Sequence, residues 1–392
     1  MKTFSAAVLW TTIAVSVVVM WVQARWPTSV PEVAAFGLAA VWIVACLIGR
    51  SRLQVSPALI PLGAVVLWGI LQIGAGSTVF AWRTKVADLY WAGNLAVAFA
   101  ALQTFDDSRV RARFFRALLV FGFAIAVISP LQSLNPDNKV FWLFERPQTF
   151  WIPFGPFPYT NQYAAFIELL LPIALFFALT QERWRTFYVL AAAVMYTSVI
   201  AAASRMGLAL TTAEMLIVPA LVARSRKLSL RRIRTAAILF AGIFVMLILA
   251  AGPAKVLERL MADDPYGIRR DFTSTSLEMI KAKPLLGFGL GNWPTAYPKF
   301  AHIDDGLYAN EAHNDWAQWA VEGGLPLFAI MLGLAIFCVP RALRSGWGFG
   351  VAAVFVHCLV DYPIQRTAVA VVFFAMIGAI CARGGKEARI ID

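Results

Sequence analysis

His313 and Asn314, in the stretch "NEAHNDWAQWAVEGGLP" at residues 310–326, stand where a long polar segment gives way to an apolar helix. A helix N-terminus carries partial positive charge, so an imidazole placed there stays neutral and can accept a proton near pH 7. The same dipole attracts an anion such as pyrophosphate. His313 therefore reads as a neutral base with Asn314 to position it. Asp315, Gln318 and Glu322 follow, the last two one helical turn apart and so adjacent. The alternative is a histidine that only caps the helix.

Fixed cations stand at three other apolar borders: Arg83 and Lys85 in "FAWRTKVAD", Arg205 in "AAASRMGLAL" and Arg366 in "DYPIQRTAV". Arg205 is the sharpest case, because only Ser204-Arg205-Met206-Gly207 separates two apolar runs. A cation inside hydrocarbon costs about 2.5–3.5 kcal/mol on insertion scales unless a partner or water compensates it. Any one of these side chains alone could snorkel to head groups. Three borders with the same feature point instead to a shared anionic ligand. His357 and Asp361 lie four apart near Arg366, a spacing that lets them meet on one helix face, either to orient a substrate or to pair with each other.

These residues need a scaffold, and composition says which kind. The 392-residue chain is 60% hydrophobic and 14% charged, with mean hydropathy +0.70, more apolar than a soluble core can bury. Its apolar runs are continuous rather than alternating, which excludes a strand barrel and implies an all-α polytopic membrane protein. Hydropathy and helix breakers give about twelve spans: 5–24, 31–49, 57–75, 88–104, 114–131, 161–180, 185–203, 206–223, 235–251, 314–338, 347–361 and 365–382. The first is read as a retained span rather than a cleaved signal. The organisation is then nine spans within 1–251 with a small outer loop at 132–160, a large outer loop at 252–313, and three spans with a tail at 314–392.

Orientation follows the positive-inside rule. With both termini inside, more than half of the 34 basic residues fall in inner segments, among them Arg109–Arg116, Arg224–Arg234 and the tail. The formal charge of +12 is thereby accounted for largely by topology, without a nucleic-acid partner. The four cysteines are scattered through apolar segments and suggest packing.

Within the large loop, "DFTSTSLEMIKAKP" reads as a short helix capped by Asp271, and "PLLGFGLGNWP" as a turn of close-packed backbone, with a phosphate cradle as the weaker reading. The histidines lack HxH or HExxH spacing, and the pairs Asp263-Asp264 and Asp304-Asp305 lack a second cluster, so no metal site is expected. The aromatic-rich segment 140–161 reads as an interfacial belt or a platform for sugar rings, and contributes Arg146 as a further ligand candidate.

In order along the chain, "PYTNQYAAFIELLLPIAL", "ASRMG", "PLLGFGLGNW", "HNDWAQWAVEGGLP" and "HCLVDYP" resemble motifs of the O-antigen ligase and polymerase superfamily, over about residues 156–365. The resemblance implies a GT-C-like helical fold with short helices in a large periplasmic loop, set in a bacterial inner membrane. It implies a glycosyltransferase without cofactor or metal, moving a glycan from undecaprenyl diphosphate to an acceptor hydroxyl with inversion. The acceptor would be lipid A core in a ligase, another lipid-linked repeat in a polymerase, or a protein hydroxyl in an oligosaccharyltransferase. On this reading His313 and Arg205 are catalytic with Asn314, while Arg83, Lys85, Arg366, Asn161, Arg146, His357 and Asp361 bind diphosphate or glycan. Compact tails and one histidine-bearing loop favour the ligase within the superfamily. A polytopic transporter is the reading from another class, although no internal repeat supports it.

Overall fold

The computed structural model describes residues 1–134, 139–145, 154–226, 228–251, 267–302, 306 and 308–382. Arg146 and the Asp263-Asp264 and Asp304-Asp305 pairs lie outside the described residues. Fourteen α-helices occur among those described. They are α1 (Lys2–Val18), α2 (Trp26–Leu47), α3 (Leu59–Gly74), α4 (Ala81–Thr104), α5 (Ser108–Leu134), α6 (Thr160–Thr180), α7 (Arg185–Ala202), α8 (Arg205–Arg226), α9 (Leu230–Ala251), α10 (Gly267–Ala282), α11 (Trp293–Ala296), α12 (Asp315–Ser345), α13 (Phe349–His357) and α14 (Thr367–Cys381). One small hairpin, β1 (Lys139–Val140) with β2 (Phe144–Glu145), precedes α6.

Among the described residues six helices are long and apolar enough to cross a membrane: α2, the Ser108–Ser133 part of α5, α6, α7, α8 and α12. Helices α1, α3 and α14 and the Ile233–Leu249 part of α9 are apolar but shorter. The chain is thus a multi-pass membrane protein. The span expected at 347–361 resolves differently: α13 has 9 residues and rises only about 14 Å, after which the chain turns through a 3₁₀ segment at Pro363–Gln365. The span expected at 88–104 begins earlier, at Ala81, so Arg83 and Lys85 sit in the first turns of α4 rather than in a loop.

The hub of the bundle is α6. Its sequence is apolar on every side, and it is buried from Gln162 to Leu179 among α5, α7, α8 and α13. With lipid outside, such packing is driven by close backbone approach, for which small residues are required. Gly350 of α13 supplies it: a Cβ there would stand 2.2 Å from the Glu168 carbonyl oxygen of α6. Gly378 of α14 does the same against α4, where a Cβ would stand 2.4 Å from the Ala98 carbonyl oxygen.

Helix α12 is broken at Gly324, which has φ 70° and ψ −175°. A Cβ at this residue would lie 2.3 Å from the Leu285 carbonyl oxygen, and Leu325 N–H donates to Pro284 O at 2.8 Å. The break therefore seats the turn that follows α10 against α12. Asp271 lies inside α10 and accepts a bond from the Tyr297 hydroxyl at 3.3 Å, so it is not the cap that its position suggested.

Gly350→Val should force α13 off α6 and cost about 1–3 kcal/mol or more, read as a lowered unfolding temperature of the purified protein. Gly37→Val, with open space around the new side chain, is the control and should leave it unchanged. Equal stability of the two variants would contradict this packing.

Candidate active site

The site grows from the start of α12. Asn314 is its N-cap, the side-chain oxygen accepting the Ala317 N–H at 3.0 Å. Asp315 is an anchor. Its N–H donates to the carbonyls of Cys358 (2.9 Å) and Asp361 (3.1 Å), and its carboxylate accepts from Ile364 N–H and Gln365 Nε2, each at 3.0 Å. The turn between α13 and α14 is thereby fastened to the first residue of α12. His313 is held between the cap and Ala312, whose N–H donates to Gln318 Oε1 at 3.1 Å. It adopts the left-handed conformation, φ 51°, which is uncommon outside glycine and is tolerated where neighbours over-determine it.

Asp361 ties this segment to three others. One carboxylate oxygen accepts a short bond from Asn161 Nδ2 at the start of α6, and an Arg269 N–H from α10 at 3.4 Å. The other accepts Tyr362 N–H at 2.9 Å and faces His313 Nδ1 at 3.7 Å. The chain of bonds continues outward: Ser204 donates to Asn161 Oδ1 at 2.8 Å and accepts the Gly207 N–H at 3.2 Å, capping α8 where Arg205 begins it. Arg269 also donates to the Val360 carbonyl at 3.3 Å.

A second knot surrounds Glu311. Arg366 reaches it at 3.4 Å and Gln318 Nε2 donates to it at 2.7 Å. Burial raises its pKa, opposed by Arg366, by the Gln318 bond and by Arg83. Arg83 also donates to the Tyr308 hydroxyl at 3.0 Å. Lys85 is exposed, and no described contact joins it to either knot. Tyr362 separates the two knots, its ring edge-on to His313 with centroids 4.6 Å apart and covered by Arg366 at 4.7 Å on a cation–π contact. Phe272 of α10 stacks on the other side of His313 at 5.8 Å.

The structure therefore brings together His313, Asn161, Asp361 and Arg269, with Arg205 next to Ser204, and Arg366 with Arg83 around Glu311. Helices α4, α6, α8, α12 and α14 all begin here, so their positive ends converge with the arginines. His357 is a correction. It ends α13, and instead of meeting Asp361 its Nδ1 lies 2.8 Å from Glu168 of α6, both side chains fully buried. Asn314 acts on the helix terminus rather than on the ring. The glycine loop is also settled: Gly287, Gly289 and Gly291 have positive φ, but Gly291 and Trp293 N–H donate to the Glu322 carboxylate at 2.8 and 3.2 Å. Gly289 N–H goes to Glu322 O at 2.9 Å, and Gln72 Nε2 donates to that carbonyl at 2.7 Å. These donors are spent on packing and do not form a phosphate cradle.

Residues 190–332 match the family model described as O-antigen ligase. The match supports a likeness to the O-antigen ligase and polymerase superfamily over that segment. No curated protein matches the chain. The superfamily match covers Arg205, Arg269 and His313, whereas Asn161 and Asp361, which tie them together, lie outside it. Arg269 is the site residue that sequence reasoning passed over, since in "GIRRDF" it reads as one charge of a polar loop helix. Its only sequence signal is its place two residues ahead of an amphipathic run.

Burial lowers the pKa of His313 to about 4; Asp361 opposes this, and Arg269 and Arg366 add to it. The imidazole is neutral at pH 7 because it is buried, whereas the expectation from the sequence rested on the helix dipole. Because the folded value lies below the ordinary histidine value near 6.5, the unfolded chain binds more protons between the two. Stability should fall as pH drops from about 6.5 to 4, by roughly 2–3 kcal/mol. Comparing wild type with His313→Gln by thermal unfolding across that window should show a shallower loss in the variant. Parallel curves would contradict the assignment.

Proposed function

We propose that the chain is an inverting glycosyltransferase that moves a glycan from undecaprenyl diphosphate to an acceptor hydroxyl at the outer face of the cytoplasmic membrane. Ligation to lipid A core is the favoured acceptor chemistry, with polymerisation of lipid-linked repeats the second reading. One observation supports it most: Asp361 joins His313, Asn161 and Arg269 from four separate segments at an end of the bundle where helix N-termini and arginines converge.

In this reading Asp361 beside Nδ1 favours the tautomer with the proton on that nitrogen, leaving the Nε2 lone pair as the base. The acceptor hydroxyl gives its proton to Nε2 as its oxygen attacks the anomeric carbon. The bond from that carbon to the diphosphate oxygen breaks, and the electron pair leaves with the diphosphate. Arg205 and Arg269, with the N-termini of α6 and α8, stabilise the charge that develops there, the part a divalent ion plays elsewhere. Direct attack on one face inverts the anomeric centre. The outward orientation rests on the distribution of basic residues along the chain.

The test is transfer by the purified protein in nanodiscs, with lipid-linked glycan as donor and lipid A core as acceptor. His313→Ala and Arg205→Ala should each lower the rate by about 10²–10⁴-fold at unchanged protein level, and chelator should have no effect. Unimpaired variants, or activity abolished by chelator and restored by a divalent ion, would overturn the mechanism.

A further inference from the structure

A cavity of about 570 Å³ is lined by Gln162 and Arg366, both of which contact Tyr362 next to His313. Its walls come from α1 (Ser16), the turn after it (Met20–Ala24), the start of α2 (Pro27, Thr28), the entry and first turn of α6 (Pro158, Tyr159, Gln162), Asn310, and the approach to α14 (Gln365–Thr367). Its size is that of pockets that enclose a small ligand. None of the residues so far given to diphosphate binding except Arg366 lines it.

The chemistry of the wall is selective. Arg366 is the one charged residue among the described lining residues, and Glu311 already pairs with it at 3.4 Å. A diphosphate, with two or more negative charges, would find a single cation whose charge is shared. The remaining polar wall is amide and hydroxyl, and Trp21 and Tyr159 supply aromatic surface. Gln162 is 2% exposed, and its Oε1 has no hydrogen-bond partner among the described residues; its Nε2 stands 3.5 Å from the Tyr362 hydroxyl. A buried acceptor left unpaired costs about 1–3 kcal/mol, so this oxygen calls for a donor from the cavity. Arg366 Nε is likewise buried and unpartnered among the described residues, and calls for an oxygen acceptor. A ligand that is at once hydroxyl donor, oxygen acceptor and flat apolar face is a sugar ring.

We infer that this cavity is a subsite for an uncharged sugar ring of the acceptor, a hydroxyl donating to Gln162 Oε1 and a ring or hydroxyl oxygen accepting from Arg366. The inference rests on the transferase reading for the word acceptor, but not for the binding itself. Two lining residues, Arg366 and Gln162, contact Tyr362, whose ring in turn meets His313 edge-on with centroids 4.6 Å apart, so the cavity is one aromatic side chain removed from the base.

Saturation-transfer NMR on the full chain in nanodiscs tests it, with methyl glycosides of glucose, galactose and mannose as probes and inorganic phosphate as competitor. At least one glycoside should receive saturation. Gln162→Leu, of similar volume but without the amide, should weaken that signal at least fivefold, and Ala24→Trp, which fills the cavity from an exposed wall position, should abolish it. Arg205→Ala should leave it intact, because Arg205 does not line the cavity. Phosphate at equal concentration should not displace the sugar. No saturation of any glycoside, retention of the signal in Ala24→Trp, or displacement by phosphate would each overturn the inference. Sugar binding with no transfer activity would defeat the transferase reading alone, and transfer without sugar binding in the cavity would defeat this inference alone.

Discussion

The Asp361 carboxylate is the constraint on which the site depends. It stands at the end of a turn that is not helical, and it is buried, so its charge must be answered from nearby. Asn161 and Arg269 answer it directly, and the main-chain N–H of Tyr362 contributes a third bond. Those partners belong to α6 and to α10, two elements that share no sequence neighbourhood. What the carboxylate then presents to His313 is a fixed negative charge at 3.7 Å, held by groups that are themselves fixed. Each of these partners would be exposed to a misplaced or unsatisfied polar group if the carboxylate were lost, which makes the cluster cooperative.

A second tie explains why α10 can serve the site at all. The Glu322 carboxylate and carbonyl, with Gln72 of α3, accept and donate the main-chain bonds of residues 286–293, and the break in α12 at Gly324 makes room for Pro284 and Leu285. This fastens the segment after α10 to the membrane bundle, and Trp293 donates to Ser276 of α10 at 3.0 Å. Helix α10, which carries Arg269, is therefore packed together with α12, which begins just after His313. The positive φ of Gly287 is required here, since a Cβ would stand 2.4 Å from Glu322 O.

The parts of this arrangement that follow from local sequence were legible. An apolar run bounded by Asn161 and Gln181 gave α6 nearly to the residue, and the turn at Ser204-Arg205 separated α7 from α8. The parts that depend on long-range partners were not. Spacing let His357 meet Asp361, but Glu168 of α6 stands 2.8 Å from the imidazole Nδ1 and takes it, while Asp361 is held by Asn161 and Arg269. Charge pattern put Arg83 and Lys85 in a loop, because hydropathy cannot see a helix whose first turns are polar. The roles of Arg269 and Glu311 come from contacts 92 and 55 residues away along the chain, which no local pattern records.

The most direct test of the account is complementation of cells lacking this gene with Asp361→Leu, at a membrane level equal to wild type, followed by analysis of surface glycans and extracted lipid-linked glycans. Leu removes both the charge and the acceptor oxygens that Asn161, Arg269 and His313 share. The account predicts long glycans stranded on undecaprenyl diphosphate and lipid A core left bare, as in the uncomplemented cells. Restoration of the wild-type surface pattern by Asp361→Leu would contradict it.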